Sequence, residues 1–203
     1  MRLIIASNNK NKLREIREIL GHRFDEVLSM REAGLELDTV EDADSFMGNA
    51  RKKAYEASLL LPGDAVLADD SGLCVDALGG APGVYSARFA GGEGHDDPAN
   101  RRKLLEVLKD VPDKERTAHF ACCMVLAVNG RSVAEAYGRA DGRILFEERG
   151  QNGFGYDCLF YYPPFDRSFA ELDAEVKNTV SHRHNALMLL LAALDADEEG
   201  AKE

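Results

Sequence analysis

The chain has 203 residues, with 25 Lys and Arg against 36 Asp and Glu, for a net charge of −11. That acidity excludes a binder of nucleic acid polymers, whose affinity comes from Lys and Arg neutralising phosphates, but it leaves room for a small anion in a locally basic pocket. Apolar residues make up 45 % and charged residues 30 %, the balance of a globular protein, and the longest apolar run, Ala186 to Leu194, is far short of the roughly 20 residues a membrane span needs.

Arg2 to Ala6 reads as a short buried strand, too short for the apolar region of a secretory leader. A helix is expected from Asn11 to Leu20, with Leu13, Ile16, Ile19 and Leu20 on one face and Gly21 as its stop. A strand follows at Glu26 to Ser29. A longer helix is expected over Ser45 to Leu61, capped by Asp44 and stopped by Pro62-Gly63. Ala65 to Ala68 is another buried strand, and this alternation marks an α/β fold with parallel pairing. Gly72 to Gly94 is rich in glycine and reads as loop. A helix is expected over Asp97 to Lys109. Asn129-Gly130 between Thr117–Val128 and Arg131–Tyr137 is a hairpin signal. Further strands are expected at Arg143 to Glu147 and Cys158 to Tyr162, then a helix at Ser181 to Ala193 and a frayed acidic tail from Asp195 to Glu203. One α/β domain with a mixed sheet accounts for all of this. Cys74, Cys122, Cys123 and Cys158 have no metal or disulfide spacing and are expected as thiols in a reducing, cytoplasmic setting.

Several polar segments could carry chemistry. Ser7-Asn8-Asn9-Lys10-Asn11-Lys12 lies at a helix N-terminus, where backbone N–H groups and lysines suit phosphate, although capping alone would also explain Ser7 to Asn9. Asp69-Asp70-Ser71-Gly72 follows a buried strand, and adjacent carboxylates there need a cation or donors. Mg²⁺ takes one or two carboxylates and shares substrate phosphates. Glu41 could complete that shell, or serve with Asp42 and Asp44 at a helix start. Lys52 and Lys53 follow on the same helix. Phe154-Gly155-Tyr156-Asp157 offers rings for stacking a base and a carboxylate to accept from it, or a plain core pair. Lys177-Asn178 and Ser181-His182-Arg183-His184 cluster cations at the start of the last helix, and His182 and His184, two apart, cannot share a helical face as zinc ligands.

Taken together, the chain resembles the inosine triphosphate pyrophosphatase family, the XTP/dITP diphosphatases. The resemblance rests on Ser7-x-Asn9-x-x-Lys12, Ser45-Phe46-x-x-Asn49-Ala50-x-x-Lys53-Ala54, the long run from Ala68-Asp69-Asp70-Ser71-Gly72 to Ser86-Ala87-Arg88, Gly153-Phe154-Gly155-Tyr156-Asp157, and Ala170-Glu171-Leu172 through Lys177-Asn178 to Ser181-His182-Arg183. It implies an elongated mixed sheet flanked by helices, in two lobes with a central cleft, and a homodimer. It implies Mg²⁺-dependent hydrolysis of inosine, deoxyinosine and xanthosine triphosphates to the monophosphate and pyrophosphate, cleansing the nucleotide pool. Asp70 corresponds to the family's proton acceptor and magnesium ligand, with Asp69 beside it. Ser7 to Lys12, Lys53, Ser71, Phe154 to Asp157, Lys177, His182 and Arg183 correspond to substrate-binding positions. The family's glutamate ligand falls at Val40 or Glu41, of which Glu41 has the carboxylate. On this reading Lys12, Lys53 and Lys177 meet the triphosphate, Phe154 stacks the purine, and Asp157, His182 and Arg183 read its edge. A phosphatase forming an aspartyl phosphate, or a sensor that binds without turnover, would use some of the same residues.

Overall fold

The computed structural model describes residues 2–20, 24–92 and 96–200. Gly21, the expected stop of the first helix, and residues 201–203 of the acidic tail lie outside them. The strands are β1 (Arg2–Ile5), β2 (Glu26–Ser29), β3 (Ala65–Val75), β4 (Thr117–Val128), β5 (Arg131–Ile144), β6 (Phe160–Tyr162) and β7 (Arg167–Ser168). The helices are α1 (Lys10–Leu20), α2 (Phe46–Leu60), α3 (Asp97–Val107), the short α4 (Ala174–Lys177) and α5 (His182–Gly200). The strands form one seven-stranded sheet in the order β2-β1-β3-β4-β5-β6-β7. β1 pairs parallel with β2 and β3, while β6 pairs antiparallel with β5 and β7, so the sheet is mixed as expected.

The chain divides into two compact units, Met1–Asp70 with Cys122–Gly138 and His182–Glu203, and Ser71–Ala121 with Arg139–Ser181. In the first, strand alternation sorts side chains onto two faces. Leu3, Ile5, Ala65, Leu67, Cys122, Met124 and Leu126 pack with Ile16 and Leu20 of α1 and Leu187 and Leu190 of α5. Ile4, Ala6, Val66, Ala68, Cys123 and Val125 pack with Ala50, Ala54 and Ala57 of α2. The small alanines of α2 bring its backbone close to the sheet. In the second unit, Leu73, Val75, Leu104, Leu108, Phe120, Phe160 and Phe169 form the core. Phe120 and Phe169 stack with ring centroids 6.0 Å apart, and Phe160 tilts against both. Buried Arg116 donates to the carbonyls of Leu108, Ile144 and Leu145, so one guanidinium ties the end of α3 to the end of β5.

Five local expectations are corrected. β3 does not end at Ala68 but runs to Val75, carrying Asp69 and Asp70 inside the strand, because each carboxylate finds partners there. β5 is one strand where two were expected, passing through Gly138 and Gly142 without a turn. Ser45, not Asp44, caps α2, its hydroxyl accepting from the Gly48 N–H at 3.2 Å. Lys177 and Asn178 do not open the last helix: Lys177 ends α4 and Asn178 caps it. α5 also continues to Gly200, past Asp195 where fraying was expected. The Asn129-Gly130 turn stands as read, with both residues at positive φ. All four cysteines are free, Cys122 and Cys123 buried and the other two half-buried.

Candidate active site

Period-two alternation decides where the paired carboxylates of β3 point. Asp69 shares the face of Ala65 and Leu67, under α1 and α5; Asp70 shares that of Val66 and Ala68, under α2. The contacts follow. Lys12 of α1 meets Asp69 with Nζ 2.8 Å from Oδ2, and Arg183 of α5 approaches the same oxygen at 3.6 Å. Arg183 also pairs with Glu15 of α1, both side chains buried. On the other face Asn49 of α2 donates its Nδ2 to Asp70 Oδ2 at 3.0 Å. Lys53 lies one turn on, its Nζ 2.8 Å from Glu41 Oε1, 2.7 Å from the Asp69 carbonyl and 3.7 Å from Asp70 Oδ1.

The two carboxylates therefore titrate in opposite directions. Burial pushes Asp69 up, but Lys12, Arg183 and Lys53 outweigh it and hold the group well below the usual carboxylate range. Burial also pushes Asp70 up, and there it wins: Lys53 and Lys12 pull down, the Glu41 charge adds to the rise, and the net shift is upward. For Glu41 burial is opposed mainly by Lys53, and its pKa is lowered. Burial lowers Lys53, yet Asp70, Asp69 and Glu41 raise it further, so it stays cationic. Lys52 is not part of this cluster, since it turns outward to Asp42 at 2.8 Å.

The segment before α1 is organised by Asn9, whose Oδ1 accepts from the N–H groups of Asn11 and Lys12. Ser7 accepts from the Asn9 N–H at 3.2 Å. Asn8 and Lys10 are exposed. The cap fixes the turn from which Lys12 reaches Asp69. Ser71 follows Asp70 on β3, half-buried, and opens the second unit.

That unit holds a second polar cluster. Phe154, Gly155, Tyr156 and Asp157 form turns between β5 and β6. Asp157 accepts from the Phe154 N–H at 2.9 Å and from Lys177 Nζ at 2.6 Å. The same ammonium stands 5.0 Å from the centre of the Phe154 ring. Gly153 is required beside them, because a Cβ there would overlap the Asp157 carboxylate. Tyr156 is buried and donates its hydroxyl to the Ser86 carbonyl at 2.8 Å, so it anchors the loop and offers no face for stacking.

Three of the predicted site residues stand in buried ion pairs. Asp69 is fully buried and its charge is met by Lys12 and Arg183. Lys177 pairs with Asp157 and stands over the Phe154 ring. Arg183 is enclosed with Glu15 and Asp69. His182, the first residue of α5, is buried. Val40 is 66 % exposed, which leaves Glu41 as the member of that pair turned toward the site. Among the described residues no group of three or more His, Cys, Asp or Glu is arranged to hold a metal. The donor set of Asp70 and Glu41, both facing Lys53, still fits Mg²⁺, which needs only one or two carboxylates when phosphates supply the rest.

Glu15 belongs to the site but stands in none of the motifs, while Asn49 stands in the Ser45–Ala54 motif without an assigned role. Glu15 could have been found from its spacing: Lys12, Glu15, Ile16 and Ile19 make one helical stripe, so its carboxylate had to be buried with a partner.

Comparison with known proteins gives a consistent result. The model of the Ham1 family matches residues 3–193. The dITP/XTP pyrophosphatase of Desulforamulus reducens is 48 % identical over 195 residues, covering 96 % of each chain. That of Clostridium tetani is 45 % identical over 187 residues, 91 % of this chain and 92 % of the other. Among solved structures, the Staphylococcus aureus Ham1 protein is 38 % identical with a TM-score of 0.84, covering 97 % of this chain and all of that one.

Proposed function

The chain belongs to the Ham1 family, and from that premise we propose that it hydrolyses inosine, deoxyinosine and xanthosine triphosphates to the monophosphate and pyrophosphate. The enzyme is a nucleoside-triphosphate hydrolase. The observation that carries the mechanism is Asp70, a nearly buried carboxylate whose pKa is raised by burial and by Glu41 while Asn49 and Lys53 fix its orientation. Asp70 takes the proton as water oxygen bonds to the α-phosphorus. The α–β anhydride bond breaks, and pyrophosphate leaves with the bond's electron pair. Lys53 and Lys12 spread positive charge where the transition state gathers negative charge. Asp70 and Glu41 would hold Mg²⁺, which neutralises phosphate charge and lowers the pKa of bound water.

In the second unit Phe154 supplies a ring for the purine, and Asp157, neutralised by Lys177, supplies an acceptor for a base N–H. His182 is proposed as a donor to the 6-oxo group, a contact an adenine amino group would leave unpaired. The homodimer and a cytoplasmic setting are part of the same proposal, in keeping with four free thiols. Among the described residues no helix is long and apolar enough to cross a membrane.

The test is inosine triphosphate with Mg²⁺, the products resolved by ion exchange. Pyrophosphate is the expected product; orthophosphate, or binding without turnover, overturns the proposal. His182→Ala is expected to narrow the ratio of kcat/KM between inosine and adenosine triphosphates, and an unchanged ratio removes His182 from base reading.

A further inference from the structure

The loop Phe154–Asp157 is held from outside as well as from within. Gly155, in the left-handed region at φ +59°, has both of its backbone polar groups taken by one helix. Its N–H donates to Asp97 Oδ2 at 2.8 Å, and its carbonyl accepts from Arg101 Nη1 at 3.1 Å. Asp97 and Arg101 are four apart on α3, so they rise from one face of the helix and reach the two ends of a single residue. The arginine is steered in turn by Glu148, which accepts from its Nε at 2.7 Å. Both side chains make charge-assisted bonds, about twice as strong as neutral ones. Arg101 and Glu148 also line a cavity of about 250 Å³ with Gly153, Phe154, Gly155 and Cys158. The space beside the loop is therefore open, and packing alone does not fix the loop's path.

We propose that Asp97 and Arg101 are positioning residues for the base platform: they clamp the Gly155 peptide groups and so set the plane of the Phe154 ring and the direction of the Asp157 carboxylate. The proposal rests on the reading of Phe154 and Asp157 as the base-recognition pair. Neither clamp residue touches the substrate. Each acts through a backbone that joins the two residues that do. A loosened clamp lets Phe154 sample poses that stack poorly, which weakens binding of the purine without altering the hydrolytic groups on β3.

The variants Asp97→Ala and Arg101→Ala test this with steady-state kinetics on inosine triphosphate. Either is expected to raise KM about tenfold, the loss associated with one hydrogen bond to a charged group, with kcat changed less than about threefold. The double variant should be little worse than the weaker single, since either loss frees the same peptide. Asp96→Ala serves as the structural control. Asp96 caps α3 through the Ala99 N–H at 2.9 Å and does not touch Gly155, so it should lower Tm while leaving KM unchanged. An unchanged KM in both clamp variants, or a rise in Asp96→Ala equal to theirs, overturns the clamp. Phe154→Ala separates the two levels. If its KM is normal, the base-platform reading fails. If Phe154→Ala raises KM and the clamp variants do not, only the clamp fails.

Discussion

Adjacent aspartates on one strand do opposite things because a strand points neighbouring side chains to opposite faces. Asp69 is a stabilising charge. Its pKa in the folded protein lies below the unfolded value, so its ionised form contributes stability that is complete above the ordinary carboxylate range and is lost as pH falls below about 4. Asp69→Asn is expected to cost about 3–5 kcal/mol, because it leaves Lys12 and Arg183 in a buried site without their counter-charge. Denaturant unfolding measures it, and the variant should show a weaker loss of stability between neutral and acid pH than the parent. Asp70 is the reverse. Its raised pKa means that the ionised form is disfavoured in the folded state, a cost present at neutral pH and relieved in acid. Asp70→Asn should therefore abolish pyrophosphate release while leaving Tm equal or higher, the exchange expected where a site is tuned for chemistry at the expense of stability. A fall in Tm as large as that of Asp69→Asn would show that Asp70 is a structural charge. The Asp-Asp pair itself was legible in the sequence as a site. The division of labour was not, because it depends on which helix covers which face.

Two elements meet closely where β5 passes α5. A Cβ at Gly138 would overlap the backbone of His182 and Ala186, so the strand and the first turns of the helix touch without a side chain between them. Backbone cannot rotate away as a side chain can. Gly138→Ala is expected to destabilise by about 1–3 kcal/mol through this overpacking, and to reduce kcat/KM because His182 and Arg183 stand on the displaced turn. An unfolding midpoint and kcat/KM both equal to the parent's would show that α5 shifts freely. At the other helix of the site, Ser45→Ala removes the α2 cap and should cost about 1 kcal/mol, whereas Asp44→Ala should cost less, a comparison that thermal melts settle directly. Here the limits of legibility are physical. Short apolar runs and the Asn-Gly turn marked most elements because local chemistry decides them. β3 beyond Ala68 and the single long β5 were hidden, since Asp-Asp-Ser-Gly and the glycines of β5 read locally as breaks. Only long-range partners, Lys12, Asn49 and the backbone of α5, keep those segments extended.

At the scale of the whole molecule the net charge of −11 is unevenly spread. Residues 1–20 carry five Lys or Arg against two Glu, while residues 195–203 carry five acids and one Lys. Of that basic segment Lys12 is drawn inward to Asp69, where Arg183 joins it, and Lys53 faces Glu41 and Asp70. These three cations lie around one buried strand, each already beside a carboxylate. A triphosphate is short enough to enter where a duplex is not, and it delivers its charge to cations already held in place. Nonspecific polymer binding is strongest at low salt, where counterion release is most favourable. Duplex DNA added at low ionic strength is therefore the severe test. We expect no change in fluorescence anisotropy of a labelled duplex of about 20 base pairs at low salt, where screening is weakest, and no inhibition of inosine triphosphate hydrolysis. Competitive inhibition by the duplex would mean that the site cations are open to a polymer. Their burial against β3 would then not be what selects a small polyanion over a large one.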